Sequence, residues 1–181
     1  PSFKDEKTGE YASGIRHDGL RVRKVAISGS QDGPVAVDYL ISSGSLIGTS
    51  ALVDIGYMRE ELFIDWVDIE WGLRALRYGY ENFIIPSAVM YHSIGDDFVS
   101  VGDKKINLHN DQRNYYIVRN ACYLLFDRSM GWQWRANILI KIPIYILFYS
   151  FNSTSGKKYA ALKLLFKALF DGLKGRLGKA F

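Results

Sequence analysis

The chain has 181 residues, 48% of them hydrophobic and 14% aromatic, with a formal net charge of +4. That apolar share excludes a disordered polypeptide, and the length suits one domain with at most an appendage. A single cysteine, Cys122, excludes an intrachain disulfide and gives no argument for an oxidising compartment. The charge is unevenly spread: from Lys157 onward seven Lys or Arg face one acid, Asp171, which points to an anionic surface contacted by that segment. The chain starts at Pro1 and runs into a polar stretch with no signal peptide, so it reads as a piece of a longer protein.

Residues 1–34 are rich in Gly, Ser, Asp and Lys, a surface excursion in which "LRVRKVAIS" (20–28) alternates as an edge strand would. "VAVDYLISSGSLIG" (35–48) reads as a buried strand pair bent at Ser42, Ser43 and Gly44. "TSALVDIGYM" has a Thr or Ser start and stops at Gly56, which predicts a short helix.

"ELFIDWVDIEWGLRALRYGY" (61–80) then sets Asp65, Asp68 and Glu70 among Phe, Ile, Trp and Val, although desolvating a carboxylate is costly. Counted from Asp65 at a helical period, Ile69, Leu73, Leu76 and Tyr80 form an apolar stripe, with Glu70, Arg74 and Arg77 on the solvated side. Asp68 falls at the flank, where Gly72 and Ala75 leave room above it. A Gly inside a helix costs about 1 kcal/mol against Ala, so something should offset it. Open space beside Asp68 is one candidate.

"NFIIPSAVMYHSIGDD" (82–97) predicts a strand ending at His92, followed by a polar loop over 98–112. "RNYYIVRNACYLLF" (113–126) predicts a helix with Tyr116, Val118, Cys122 and Leu125 among its apolar positions. "ANILIKIPIYILFYSF" (136–151) is nearly all apolar but holds Lys141 and Pro143 and falls short of the ~20 residues of a spanning helix. The last segment places Leu162, Leu165, Phe166, Leu169 and Leu173 on one helical face, flanked by Lys163, Lys167 and Lys174. That pattern fits a helix lying in a membrane interface, or one closing a core edge. The expected division is 1–130 and a membrane-associating tail, 131–181.

The run "SSGSLIGTSALVDIGYMREELFIDWVDIEWGLRALRYGYENFIIPSAVMYH" resembles the C-terminal half of the catalytic domain of family 2 glycosyltransferases, most of all bacterial rhamnosyltransferases of surface-polysaccharide synthesis. In that pattern a Gly-bearing strand leads to a short helix, then an acidic motif, an "lRa...Gy" helix and a strand ending in His. The likeness extends from about Val37 to Asn120, and "DGLKGRLGK" matches a common ending. It implies an α/β fold of the GT-A type, with this chain supplying the acceptor-side half.

It also implies an inverting transfer from a nucleotide sugar, dTDP-rhamnose by resemblance, onto a lipid-linked oligosaccharide. An alcohol is too weak an acid to react unaided, so a carboxylate must take its proton. A divalent cation, Mg2+ or Mn2+, should neutralise the leaving diphosphate. By resemblance the base falls on Asp68 and the metal-contacting histidine on His92. No DxD-type motif precedes the acidic helix in this chain, which leaves the donor-binding half to sequence upstream of Pro1. The expected partners are the sugar nucleotide, the lipid-linked acceptor and an anionic membrane at the cytoplasmic face of the bacterial inner membrane, with no nucleic acid.

Ordinary roles compete at each position. Asp65 is an N-cap or an acceptor contact, and Glu70 is surface or an acceptor contact. Trp66 stacks on a sugar or packs in the core. Ser43 and Gly44 line the acceptor cleft or make a plain turn. Arg113 binds diphosphate or, like Arg119, is a helix-end charge. His92 contacts metal or only hydrogen-bonds. Besides a transferase, the same residues suit a non-catalytic saccharide-binding or scaffold protein, or a glycoside hydrolase with two facing carboxylates.

Overall fold

The computed structural model describes residues 1–6, 9–18, 21–91, 97–101 and 104–181, the side chains of 97–101 and 104–107 excepted. Within these residues the chain is mixed α/β, with five α-helices and four two-stranded sheets. It divides into two compact units, Pro1–Met58 with Asp68–Ser93, and Arg59–Val67 with Ile94–Phe181.

The first unit contains β1 (Ser2–Lys4), β2 (Gly14–Asp18), β3 (Arg21–Val25), β4 (Val35–Val37), α1 (Thr49–Ile55), α2 (Val67–Arg77), β5 (Asn82–Ile84) and β6 (Val89–Tyr91). β2 and β3 form an antiparallel hairpin in the register Gly14↔Val25 to Asp18↔Arg21, so the expected edge strand is there with its partner. β4 pairs antiparallel with β5, and β1 pairs parallel with β6. Ile27, Val37 and Ile84 form one small core. Ala51, Ile55, Trp71 and Ala75 form another, where α1 meets α2. α1 stops at Gly56, whose φ of 87° suits glycine.

Two strand expectations need correction here. The segment 35–48 is a single three-residue strand followed by an irregular stretch, because β4 finds its partner in β5 and not in the residues after Gly44. Its apolar residues serve another purpose, and Leu46 is 96% exposed. The strand expected from Asn82 is two short ones, with Pro86 between them unable to donate to a ladder.

The second unit contains a 3-10 turn, Glu60–Leu62, then β7 (Asp97–Val101), β8 (Lys104–Leu108), α3 (Asp111–Leu124), α4 (Trp132–Phe151) and α5 (Lys158–Leu173). The expected loop over 98–112 is largely an antiparallel hairpin, β7 with β8. Its two strands are too polar to register as apolar runs. Asn110 caps α3, its side chain accepting from the Arg113 amide at 2.8 Å. Cys122 is fully buried on α3, and desolvation pushes its thiol pKa up to about 12.

α4 and α5 both pack on α3 within this second unit. α5 turns Ala161, Leu165, Ala168 and Gly172 inward, while Phe166, Phe170 and Leu173 of the expected stripe and its neighbourhood are exposed. Small residues select the inner face. A Cβ on Gly172 would lie 2.2 Å from the Arg119 carbonyl oxygen, so the two helix backbones approach directly.

Gly172→Ala therefore tests two opposed effects. Helix propensity favours Ala by about 1 kcal/mol, whereas forcing two backbones apart costs about 3 kcal/mol or more. A net loss of about 2 kcal/mol in denaturant unfolding is expected; a stabilised variant would overturn the close approach.

Asp127 gives a pH prediction. Burial alone would push its pKa up, but hydrogen bonds from Ser129 and the charge of Arg59, its ion-pair partner, outweigh that and hold it below the usual carboxylate range. A depressed native pKa means that stability is fully present above the unfolded value, about 3.9, and drains away as pH falls through the native value. Unfolding followed from pH 6 to pH 2 should show this acid limb, and Asp127→Asn should flatten it.

Candidate functional site

The site is a cleft of about 280 Å³ in the first unit, with Asp68 on its wall. Asp68 stands in the first turn of α2, where unpaired backbone amides favour negative charge. Oδ1 accepts from the Ile69 amide at 2.9 Å, and Oδ2 accepts from the Ser42 amide at 3.1 Å. An ionised carboxylate offers about four lone-pair positions, so acceptor capacity remains after these two bonds. The carboxylate is thus held in place by backbone, not consumed by it.

The rest of the wall is mostly apolar: Leu40, Leu46, Ile47, Met58 and Trp71, with Gly72 and Ala75 beside the acid. This is where the exposed apolar residues of the 35–48 segment go. Ser42, Ser45, Tyr80, Glu81 and Asn82 supply polar groups. The Tyr80 hydroxyl donates to Asp54 at 2.5 Å, and that hydrogen bond raises its pKa.

Gly72 lines the cleft, but its main demand lies elsewhere. A Cβ there would sit 2.7 Å from the Tyr39 Cβ and 2.9 Å from its Cα, so α2 needs glycine to approach that strand of chain. Asn82 fastens the same junction, donating from Nδ2 to the Asp38 and Gly72 carbonyls.

Glu70 is corrected most strongly. It is 0% exposed and grips Arg74 through two bonds, Nε to Oε1 at 2.9 Å and Nη2 to Oε2 at 3.1 Å. Arg74 in turn donates to the Ile55 and Tyr57 carbonyls at the end of α1, and Trp71 Nε1 donates to the Gly56 carbonyl. The face assigned to solvent is therefore the face that docks α1. The i,i+4 spacing of Glu70 and Arg74 signals the pair, but not its burial.

Ser43 and Gly44 do not line the cleft, whereas their neighbours Ser42 and Ser45 do. Gly44 has a φ of 63° and faces Met90, a turn glycine. Asp65 is not the cap of α2, which begins at Val67. In the second unit its carboxylate holds the Arg113 guanidinium, with Nε at 3.1 Å and Nη2 at 3.0 Å. Trp66 is buried and donates Nε1 to the Ile117 carbonyl, a core role. Arg119 is no helix-end charge: it is fully buried, donates to the Leu62 and Gly178 carbonyls, and lies over the Tyr116 ring. Desolvation pulls its pKa down. His92 lies outside the described residues.

Sequence reasoning missed Asn120. Its Nδ2 faces the carbonyls of Leu62, Ile64 and Asp65 at 2.9–3.1 Å. An amide inside a helix window as apolar as 115–125 was the available signal. Among the described residues no three His, Cys, Asp or Glu gather where they could hold a metal ion; the expected metal contact, His92, lies outside them.

The fold and cleft define a mixed α/β protein with one backbone-held carboxylate in an open apolar cleft. The chain is 34% identical over 182 residues to the dTDP-rhamnosyl transferase RfbF of Shigella flexneri, an alignment covering 98% of this chain and 60% of that protein. The chain thus spans about 60% of the length of the curated relative it matches. No family model and no solved structure matches it.

Breaking a buried ion pair from one side leaves the other charge stranded, at about 3–5 kcal/mol. Glu70→Ala should therefore lower unfolding stability by about 3 kcal/mol. A change under about 1 kcal/mol, the range of a surface pair, would show Glu70 to be solvated after all.

Proposed function

We propose that this chain is the acceptor-side part of an inverting rhamnosyltransferase in polysaccharide synthesis, with Asp68 as the general base. The likeness to dTDP-rhamnosyl transferase RfbF supports a rhamnosyltransferase-like glycosyltransferase. The observation that carries the reading to a residue is the carboxylate at the first turn of α2, held by the Ser42 and Ile69 amides and facing an open cleft.

The chemistry follows from the acid. A saccharide hydroxyl of the acceptor enters the cleft and hydrogen-bonds to a free lone pair of Asp68. As that oxygen attacks the anomeric carbon in line, Asp68 takes its proton, and the nucleoside diphosphate leaves from the opposite face. Two backbone amides fix the carboxylate so that it need not reorganise at that moment. The apolar wall, with Trp71 and Leu46, suits the hydrophobic face of a sugar.

The remaining assignments extend the same reading: a GT-A fold of family 2, a nucleotide-sugar donor, a lipid-linked acceptor and a place at the cytoplasmic face of the bacterial inner membrane. Mg2+ or Mn2+ belongs to the proposal as counter-charge for the leaving diphosphate. Arg113 is engaged by Asp65, and we do not assign it to the diphosphate. A second reading, glycoside hydrolysis, draws on the presence of Glu81 as another carboxylate at the cleft.

In the intact protein, Asp68→Asn should lower transfer to acceptor by about 10²–10⁴-fold while the unfolding midpoint stays within about 1 kcal/mol of the parent. Retained turnover removes the base assignment. Products separate the two readings, since a transferase extends the acceptor whereas a hydrolase releases free sugar.

A further inference from the structure

α4 buries Trp134, Ile138, Ile142 and Ile146 within its own unit. On the opposite side Ile140, Ile144, Leu147 and Phe151, spaced i, i+4, i+7, i+11, are 56–67% exposed. α5, packed beside it, repeats the arrangement: Tyr159, Phe166, Phe170 and Leu173 face outward. Single apolar side chains are common on a surface, but continuous stripes on adjacent helices mark a contact site.

Charge selects the occupant. Lys163 and Lys174 are exposed beside the α5 stripe. Asp171, the one acid of residues 157–181, is 5% exposed and accepts from Tyr115, Lys167 and Arg176, so it offers no surface charge to oppose the lysines. A second copy docking by the same face would set lysine against lysine. An anionic bilayer satisfies both features, its headgroups taking the lysines and its acyl boundary the apolar stripes. Among the described residues no helix is long and apolar enough to cross a membrane, which leaves the interfacial plane.

We propose that the outward stripes of α4 and α5 seat this folded unit in the interface of an anionic phospholipid bilayer. The surface is preformed, because the inner faces of both helices are already engaged by the unit. A bilayer-seated unit presupposes the membrane-borne acceptor proposed above, yet vesicle binding needs no sugar transfer, so the two readings can fail separately.

The test is co-sedimentation of the full chain with phosphatidylcholine vesicles, with and without phosphatidylglycerol. At least roughly tenfold tighter binding to the anionic vesicles is expected, weakening with salt. The exposed pair Ile144→Glu with Leu147→Glu should cut that binding by roughly tenfold or more with an unchanged circular dichroism spectrum and unfolding midpoint. Lys163→Glu with Lys174→Glu should cost at least roughly fivefold per charge. Asp68→Asn should bind vesicles as the parent does, whatever its effect on transfer. Absence of binding to phosphatidylglycerol vesicles, binding untouched by the paired Glu substitutions, or a dimer that those substitutions dissociate would each overturn the proposal.

Discussion

Two neighbouring side chains in the middle of α3, Arg119 and Asn120, hold the second unit together. Between them their N–H groups face the carbonyls of Leu62, Ile64 and Asp65 and that of Gly178 in the C-terminal run. The segment 62–65 needs holding. Phe63, Asp65 and Trp66 have φ values of 66°, 61° and 66°, and a left-handed conformation costs a non-glycine residue of the order of 1–3 kcal/mol. Such backbone persists only where its surroundings over-determine it. Here they do so through the Asn120 amide, the Arg119 guanidinium, the Trp66 indole bond to Ile117 and the Asp65 ion pair with Arg113. Arg119 and Asn120 are also bonded to each other, Nε to Oδ1 at 3.0 Å, so neither can move without releasing buried carbonyls.

Much of this was legible in the chain, and most of the failures share one physical origin. Local chemistry was read well at the stop of α1 at Gly56 and at the carboxylate on the flank of α2, whereas the strand break at Pro86 was missed although proline cannot donate to a ladder. Burial was read less well, because periodicity finds an apolar stripe without saying which side of a helix is inside. On α5 both sides are apolar, and what decides between them is size. Ala161, Ala168 and Gly172 permit backbone approach, whereas Phe166 and Phe170 would hold the helices apart. On α2 the polar pair Glu70 and Arg74 was taken for a wet face because its partners, the carbonyls at the end of α1, are contributed by backbone that carries no sequence signature.

The cleft joins these lessons. Asp68 owes its position in part to an amide from Ser42, a residue the sequence marks only as part of a bend, and the apolar wall includes side chains that looked like strand core. Glycine 72 serves packing against Tyr39 more than it serves open space. The acid was found because its neighbours in sequence are unusual; its surroundings were not, because they come from the irregular stretch between β4 and α1.

Cys122 carries a practical corollary. Its thiol is wholly inside α3's packing and its pKa stands at about 12, so at neutral pH it is neither ionised nor reachable by alkylating probes. A cysteine introduced at an exposed position could then take a fluorophore or spin label selectively, with the native thiol left in place, and report distances within either unit on an otherwise silent background.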